Sequence, residues 1–146
     1  HVNNDIIIMG DGDNSYDFYD IPKFLLKIEE ADFVIGNRKY ITKRSMPFLH
    51  LYIGKPLFSF LLKKLFKLNI SDSHCGFGAI KKEALNKLNL KSQGMEFASE
   101  ILIKAKKQNL KIEEIPITYY PRIGKSKLRT FQDGFRHLKL ILKEFY

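Results

Sequence analysis

The sequence predicts an α/β domain with a mostly parallel sheet flanked by helices, and three observations carry that prediction. Asp5-Ile-Ile-Ile-Met9 is a short apolar run that stops at Gly10, the signature of a buried strand. Ile21 to Glu30 starts after Asp20, a candidate N-cap, and has Pro22 in its first turn, so it reads as a helix. Asp32 to Gly36 (DFVIG) is a second buried strand. Strand, helix, strand in that order suggests a right-handed βαβ unit in a parallel sheet.

The later elements follow from periodicity. Tyr52 to Leu68 carries Leu57, Phe60, Leu61, Leu65 and Leu68 at helical spacing, and Met95 to Gln108 places Phe97, Ala98, Ile101, Leu102 and Ala105 on one face. Lys111 to Tyr119 alternates as a strand, although Pro116 within it points to a sheet edge or an irregular stretch. Leu128, Phe131, Phe135, Leu138 and Leu142 form the apolar stripe expected of a last helix. A length of 146 residues suits one domain, spanning 1–146. A hydrophobic fraction of 45% with 28% charged residues rules out wholesale disorder. The chain opens without Met and runs straight into a strand, so it reads as a fragment of a longer domain.

Charge narrows the classes of partner. The net charge of +9 points to anionic partners, and its distribution says more than its sum. His1 to Asp32 holds eight acidic residues against Lys23 and Lys27, whereas Asn37 to Ser71 holds eight basic residues and no acidic one. Arg122 to Lys143 adds seven basic residues against Asp133 alone. An acidic cluster followed by basic stretches suggests carboxylates that hold a metal and cations that hold phosphates; the alternative is a basic surface serving solubility. Cys75, the only cysteine, excludes an internal disulfide framework and fits a reducing compartment. The longest nearly apolar run, Pro56 to Leu62, is too short to span a bilayer, which takes about 20 residues.

The first strand delivers the chain into Gly10-Asp11-Gly12-Asp13-Asn14. Carboxylates just past the carboxyl end of a parallel strand stand where open α/β sheets bind ligands. Two of them one residue apart can approach a divalent ion that keeps positions free for phosphate oxygens. A plain turn built on Asx hydrogen bonds explains the same residues. A calcium loop is disfavoured, with no preceding helix and no Glu at its twelfth position.

IIIMGDGDNSYD resembles the strand-plus-DxD segment of glycosyltransferase family 2, particularly its dolichyl-phosphate mannose and polyprenyl-phosphate glucose synthases. Three further blocks resemble that family in order. They are ADFVIGNR (Ala31 to Arg38), SDSHCGFGAIKKEAL (Ser71 to Leu85) and GMEFASEILIKAKKQNLKIEEIPITYYPRIGKSKL (Gly94 to Leu128). The resemblance implies the C-terminal part of a GT-A, Rossmann-like domain. Its activity would be inverting transfer of a sugar from a nucleotide-sugar donor to a polyprenyl (dolichyl or undecaprenyl) phosphate, with Mg²⁺ or Mn²⁺. The protein would act peripherally at the cytoplasmic face of a membrane.

By position in these motifs, Asp11 and Asp13 would hold the metal on the donor diphosphate, and Arg38 would be a phosphate-binding cation. Arg122, Ser126 and Lys127 of RIGKSK would form a mobile phosphate clamp. Asp72 would position the acceptor or serve as base; alternatively it braces the turn into Gly76-Phe77-Gly78. A phosphate monoester acceptor is already ionised near neutrality and needs little general base. Glu100 would support the base or orient Arg122, or else is a solvated helix-face residue, and Cys75 reads as packing rather than nucleophile.

Phe48 to Leu68 mixes large apolar residues with lysines and no acid. It reads as an amphipathic segment on an anionic membrane surface or as a core helix with a lysine-rich outer face. The resemblance begins only at the strand before DxD, so the nucleoside-binding units of the family are not within the chain. The 146 residues alone are therefore expected to be inactive. The rivals are a basic metal- or phosphate-binding or nucleic-acid-binding module without transferase activity, and a phosphohydrolase using Asp11 as nucleophile. No RNP pattern, zinc spacing or helix-turn-helix signature supports nucleic acid.

Overall fold

A computed structural model describes residues 5–42, 54–124 and 130–146. Strand β1 (Ile6–Met9) leads through a turn of 3₁₀-helix (Phe18–Asp20) into α1 (Ile21–Ile28) and then β2 (Phe33–Ile41). Next come α2 (Lys55–Phe66), β3 (Gly78–Lys81), α3 (Lys82–Asn86), α4 (Phe97–Lys107), β4 (Ile112–Tyr119) and α5 (Thr130–Phe145).

The four described strands form one sheet in the order β1-β3-β2-β4. β3 runs antiparallel to both of its neighbours and β4 parallel to β2, so three strands point one way and β3 against them. The expected strand-helix-strand unit is present, but its two strands are not adjacent: β3 fills the gap between them. That interposition relies on a close approach that glycine permits. A Cβ on Gly78 would stand 2.8 Å from the Val34 carbonyl oxygen, so only glycine lets β3 lie this close to β2.

β1 is half-buried rather than buried, as befits an edge of the described sheet. β2 runs five residues past Gly36 because β4 pairs alongside it to Ile41. Pro116 lies in β4 at the opposite edge, where its missing N–H interrupts no further ladder. Asp20 precedes α1, but its carboxylate makes no cap bond and pairs with Lys23 instead; Asp17 does the capping one turn earlier, accepting from Tyr19 N at 3.0 Å.

The core gathers Phe24 and Ile28 of α1, Phe33 and Val34 of β2, Phe77, Ile80 of β3, Leu102 and Ile103 of α4, Ile117 of β4 and Ile141 of α5. Phe77 is its aromatic hub, with ring centroids 4.6 Å from Phe24 and 5.3 Å from Tyr16.

The last helix corrects the sequence reading. Its buried face carries Asp133, His137 and Ile141, whereas Phe135, at 68% exposure, and Leu138 and Leu142 turn outward. Polar contacts decide the orientation: His137 Nδ1 is 2.9 Å from Ser99 Oγ on α4 and 3.2 Å from His74 Nε2. Leu128 lies outside the described residues.

Candidate active site at the carboxyl edge of the sheet

The loop that leaves β1 carries Asp11 and Asp13 and is tied across the sheet to the segment that leaves β4. Asn14, with φ at 64°, reverses the chain in the left-handed region that Asn tolerates. Ser15 then folds back, its N–H donating to Asp13 Oδ1 at 3.1 Å and its hydroxyl to the same oxygen. Tyr120 N donates to Ser15 O at 3.0 Å and Ile123 N to Asp13 O at 2.8 Å, while Tyr16 bridges Tyr119. Gly76 N donates to the buried Tyr16 hydroxyl at 2.9 Å.

This stitching brings Arg122 beside the carboxylates. Its Nε lies 3.6 Å from Asp13 Oδ2 and its NH2 donates to Tyr119 Oη at 3.2 Å. That hydrogen bond and the two acids hold the guanidinium charge above its ordinary stability. Burial and then the charge of Asp13 push the Asp11 carboxyl up, and Arg122 and Arg38 pull it partly back. Asp11, Asp13, Arg38 and Arg122 therefore share one electrostatic neighbourhood. Gly76 is what admits Asp11 to it, since a Cβ there would stand 2.7 Å from Asp11 Oδ2.

Arg38 sits within β2 at a register shift between Arg38 and Tyr40, rather than after the strand. Irregularities of this kind re-aim side chains beside functional sites. Its Nε and NH2 donate to Asp72 Oδ2 and Oδ1, both at 2.7 Å, and its backbone N–H to Oδ2 at 3.1 Å. The Tyr119 ring lies 5.1 Å from Cζ, within cation–π range. Burial works against the Arg38 charge, but the hydrogen bonds and charge of Asp72 outweigh it and raise the guanidinium pKa.

Asp72 is fully buried with both oxygens engaged. The structure gives Asp72 a partner the sequence did not suggest: its carboxylate holds Arg38 rather than the turn into Gly76-Phe77-Gly78, and this buried pairing favours a bracing role. Burial pushes the neighbouring Cys75 thiol up to about 12, with Asp72 adding to the effect, so Cys75 is a packing residue.

One sequence reading shifts, and one residue is added. Glu100 neither supports Asp72 nor orients Arg122; its carboxylate is buried and accepts from Lys91 N at 3.0 Å, Ser92 N at 2.7 Å and Lys104 Nζ at 2.7 Å. The residue that does hold Asp72 in place is Glu114 of β4, accepting from Ser71 N at 2.9 Å and Asp72 N at 3.0 Å. Its signal was present in the EEIP stretch, which alternation alone reads as strand. Ser126 and Lys127 of the RIGKSK loop, and residues 48–53 of the amphipathic segment, lie outside the described residues.

Two carboxylates are too few for a closed metal cage, and among the described residues no group of three or more His, Cys, Asp or Glu side chains could hold an ion. Asp11 and Asp13 do fit the open kind of site. There one or two carboxylates and substrate phosphates share a Mg²⁺-like ion that keeps several waters.

Comparison with known proteins identifies the family and the fold. The family model described as glycosyl transferase family 2 matches residues 1–88. A low-salt glycan biosynthesis hexosyltransferase of Haloferax volcanii is 40% identical over 145 residues, covering 97% of this chain and 35% of the relative. A dolichyl-phosphate hexose transferase of the same organism is 30% identical over 139 residues, 94% of this chain and 60% of the relative. A dolichol-phosphate mannosyltransferase of Pyrococcus furiosus is 31% identical over 149 residues, 97% of this chain and 42% of the relative. Among solved structures, glucosyl-3-phosphoglycerate synthase from Mycobacterium tuberculosis matches with a TM-score of 0.62 at 14% identity, covering 98% of this chain and 50% of that one. That last likeness is one of fold, and it bears out the expected α/β architecture. The chain spans about a third to three fifths of the length of these curated relatives.

Proposed function

The chain belongs to glycosyl transferase family 2, and from that membership we propose that its protein transfers a hexose from a nucleotide-sugar donor to a polyprenyl phosphate. The observation that supports this most directly is the convergence of Asp11, Asp13, Arg38 and Arg122 on one edge of the sheet. On this reading residues 1–146 form one domain that is part of a longer GT-A unit.

A phosphate oxygen of the acceptor attacks the anomeric carbon, and the bond to the diphosphate oxygen breaks on the opposite face, so configuration inverts. The electron pair leaves with the nucleoside diphosphate, which is where cationic help is worth most. Asp11 and Asp13 would hold Mg²⁺ or Mn²⁺, which when bound neutralises diphosphate charge. Arg122 neutralises charge from the β4 side, and by the family motif Ser126 and Lys127 would serve the same phosphates. Arg38 supplies a fixed positive potential that Asp72 keeps oriented, so Asp72 acts as a positioning residue. The acceptor arrives ionised, which makes a dedicated base unnecessary.

We also read the acceptor site as lying at an anionic membrane surface, on the cytoplasmic side that suits a lone thiol. Support comes from the outward Leu57 and Phe60 of α2 and Phe135, Leu138 and Leu142 of α5, set among lysines. No helix among the described residues is long and apolar enough to cross a membrane.

The test, run on the longer GT-A protein of which this chain is proposed to be part, is transfer of radiolabelled hexose from UDP-glucose or GDP-mannose to a short-chain polyprenyl phosphate, with Mg²⁺ or Mn²⁺. Asp13→Asn should lower kcat/KM by about 100-fold or more. Lipid-linked product that forms equally well with EDTA, or in the Asp13→Asn variant, would remove the proposed role of the carboxylates.

A further inference from the structure

Two consecutive residues of the loop after β1 serve the two carboxylates, in different ways. Ser15 binds Asp13 directly, its N–H and its hydroxyl both donating to Oδ1. Tyr16 reaches Asp11 through a third residue. Its hydroxyl accepts from Gly76 N at 2.9 Å, with Cys75 Sγ 3.9 Å away. Where a side chain would stand, Gly76 instead carries the Asp11 carboxylate: a Cβ there would lie 2.7 Å from Oδ2 and 3.2 Å from Oδ1. The Tyr16 ring is buried, stacked 5.3 Å from Phe77 and tilted 5.4 Å from Tyr119. A phenylalanine would fill that slot without burying a polar atom. The tyrosine hydroxyl carries a desolvation cost, which its bond to Gly76 offsets.

We propose that Tyr16 is a positioning residue for Asp11: its hydroxyl fixes the Gly76 backbone, and that backbone sets where the carboxylate meets a divalent ion. The ion itself rests on the metal-dependent transfer reading, which the proposal deepens. Asp11 depends on this support because, among the described residues, no hydrogen bond or ion pair holds its carboxylate; burial and more distant charges act on it instead. A Mg²⁺-like ion demands near-octahedral oxygens at about 2.0–2.1 Å, so a carboxylate displaced by a fraction of an ångström loses affinity. A buried ring clamped between Phe77 and Tyr119 sets that position more tightly than a loop could by itself. The ring also serves the cationic side of the site. It packs on Tyr119, whose own ring lies 5.1 Å from Arg38 Cζ and whose hydroxyl accepts from Arg122. Hydroxyl and ring are therefore separable: Tyr16→Phe loosens the carboxylate and leaves the packing beside the arginines in place.

Mn²⁺ binding to the longer GT-A protein, followed by electron paramagnetic resonance without donor, tests this apart from turnover. Tyr16→Phe should weaken Mn²⁺ binding about tenfold. Ile141→Val, a change in the core on α5, should lower stability and leave Mn²⁺ binding unchanged. An unchanged affinity in Tyr16→Phe, or an equal loss in Ile141→Val, overturns the proposal. Because Tyr16 acts through Gly76, Tyr16→Phe combined with Gly76→Ala should cost little more than either alone; a loss of about a hundredfold would make the two independent and overturn that route. In turnover, Tyr16→Phe should raise the Mn²⁺ concentration for half-maximal rate about tenfold, with kcat and donor KM restored at saturating Mn²⁺. Carbon-13 NMR of the metal-free protein separates this proposal from the metal reading. The Asp11 carboxyl resonance should move in Tyr16→Phe and stay in Ile141→Val. A resonance that moves in a protein binding no Mn²⁺ leaves Tyr16 positioning Asp11 and removes the metal reading. Mn²⁺ binding that needs Asp13 but ignores Tyr16→Phe, with the Asp11 resonance unmoved, keeps the metal and overturns the role of Tyr16.

Discussion

Replacing Asp72 by Asn separates a brace from a base. The side chain is fully buried, and both of its oxygens accept from Arg38 at 2.7 Å, while Arg38 itself is 9% exposed. Asp72→Asn keeps the shape but strips the counter-charge, leaving a guanidinium in the interior without its anion. Breaking a buried pair from one side costs about 3–5 kcal/mol. With a urea m-value of about 1–3 kcal/mol/M, that loss lowers the unfolding midpoint by roughly 2 M. The companion variants are Arg38→Met and the double Arg38→Met/Asp72→Leu. Because hydrophobic replacement of both partners is often neutral, the double variant should recover much of the loss, giving a coupling energy of about 3 kcal/mol. The assay is urea denaturation followed by circular dichroism, alongside kcat/KM against pH. If Asp72 were the base, Asp72→Asn would leave the midpoint in place, abolish transfer and delete the acid limb of the profile. That pattern would refute the brace.

Gly76→Ala should leave the melting temperature nearly unchanged but weaken the apparent affinity for Mg²⁺ about tenfold, because the new Cβ meets the movable Asp11 carboxylate rather than backbone; Mg²⁺ titration of activity reads this. Burial alone would raise the Glu100 pKa, yet Lys104 and the Ser92 and Lys91 amides hold it at about 2. Its stabilising contribution is therefore complete above its unfolded value of 4.5 and is lost as pH falls toward 2, so Glu100→Gln should flatten the acid limb of a melting-temperature profile. Burial lowers the pKa of His137, which packs against Ser99, His74 and the charges of Glu96 and Asp133. The native state favours the neutral ring, so stability present above pH 6.5 should decline as pH falls below it, and His137→Gln should remove that slope. Arg122→Ala should tighten Mn²⁺ binding to the donor-free protein up to about fivefold, by removing a partly exposed competing cation. The same variant should lower kcat/KM by about 100-fold. Calorimetry and kinetics together check that opposed pair.

Legibility followed the range of the interactions. The strands ending at Gly10 and Gly36, the helix after Asp20 and the alternation through Tyr119 rest on local pattern, and all are found within a few residues. The order β1-β3-β2-β4 is a long-range matter: nothing local to Gly78-Ala-Ile-Lys81 says that it runs against its neighbours. The outward turn of Phe135 and Leu142 was hidden for a related reason. Periodicity finds the apolar stripe of α5, but the buried face was settled by His137 meeting Ser99 and His74, which are 38 and 63 residues away. The site divides in the same way. Asp11 and Asp13 announce themselves by spacing, and Arg38 by its place after a strand motif. That Asp72 is committed to Arg38 across 34 residues, and pinned by Glu114 across 42, depends on three strands meeting.

The two arginines beside the carboxylates illustrate how one charge type does two kinds of work. Arg38 is held by a bidentate buried carboxylate at 2.7 Å, against the Tyr119 ring and within a strand. Such a guanidinium cannot leave its partner without exposing a buried anion, so its positive potential is permanent and its position fixed. Arg122 is partly exposed, lies 3.6 Å from Asp13 and stands just past β4 in an irregular segment. Its contact is the weak, screened kind that exchanges partners at little cost. A diphosphate arriving at Asp11 and Asp13 would offer Arg122 more negative charge than Asp13 does, and the arginine can move to it while Arg38 stays. On the proposed reading, the fixed cation would preorganise the site and the exchangeable one would follow the donor. Tyr119 joins the two, since its ring lies under Arg38 and its hydroxyl accepts from Arg122 at 3.2 Å. Among the described residues, Tyr119 therefore touches the fixed and the exchangeable arginine alike.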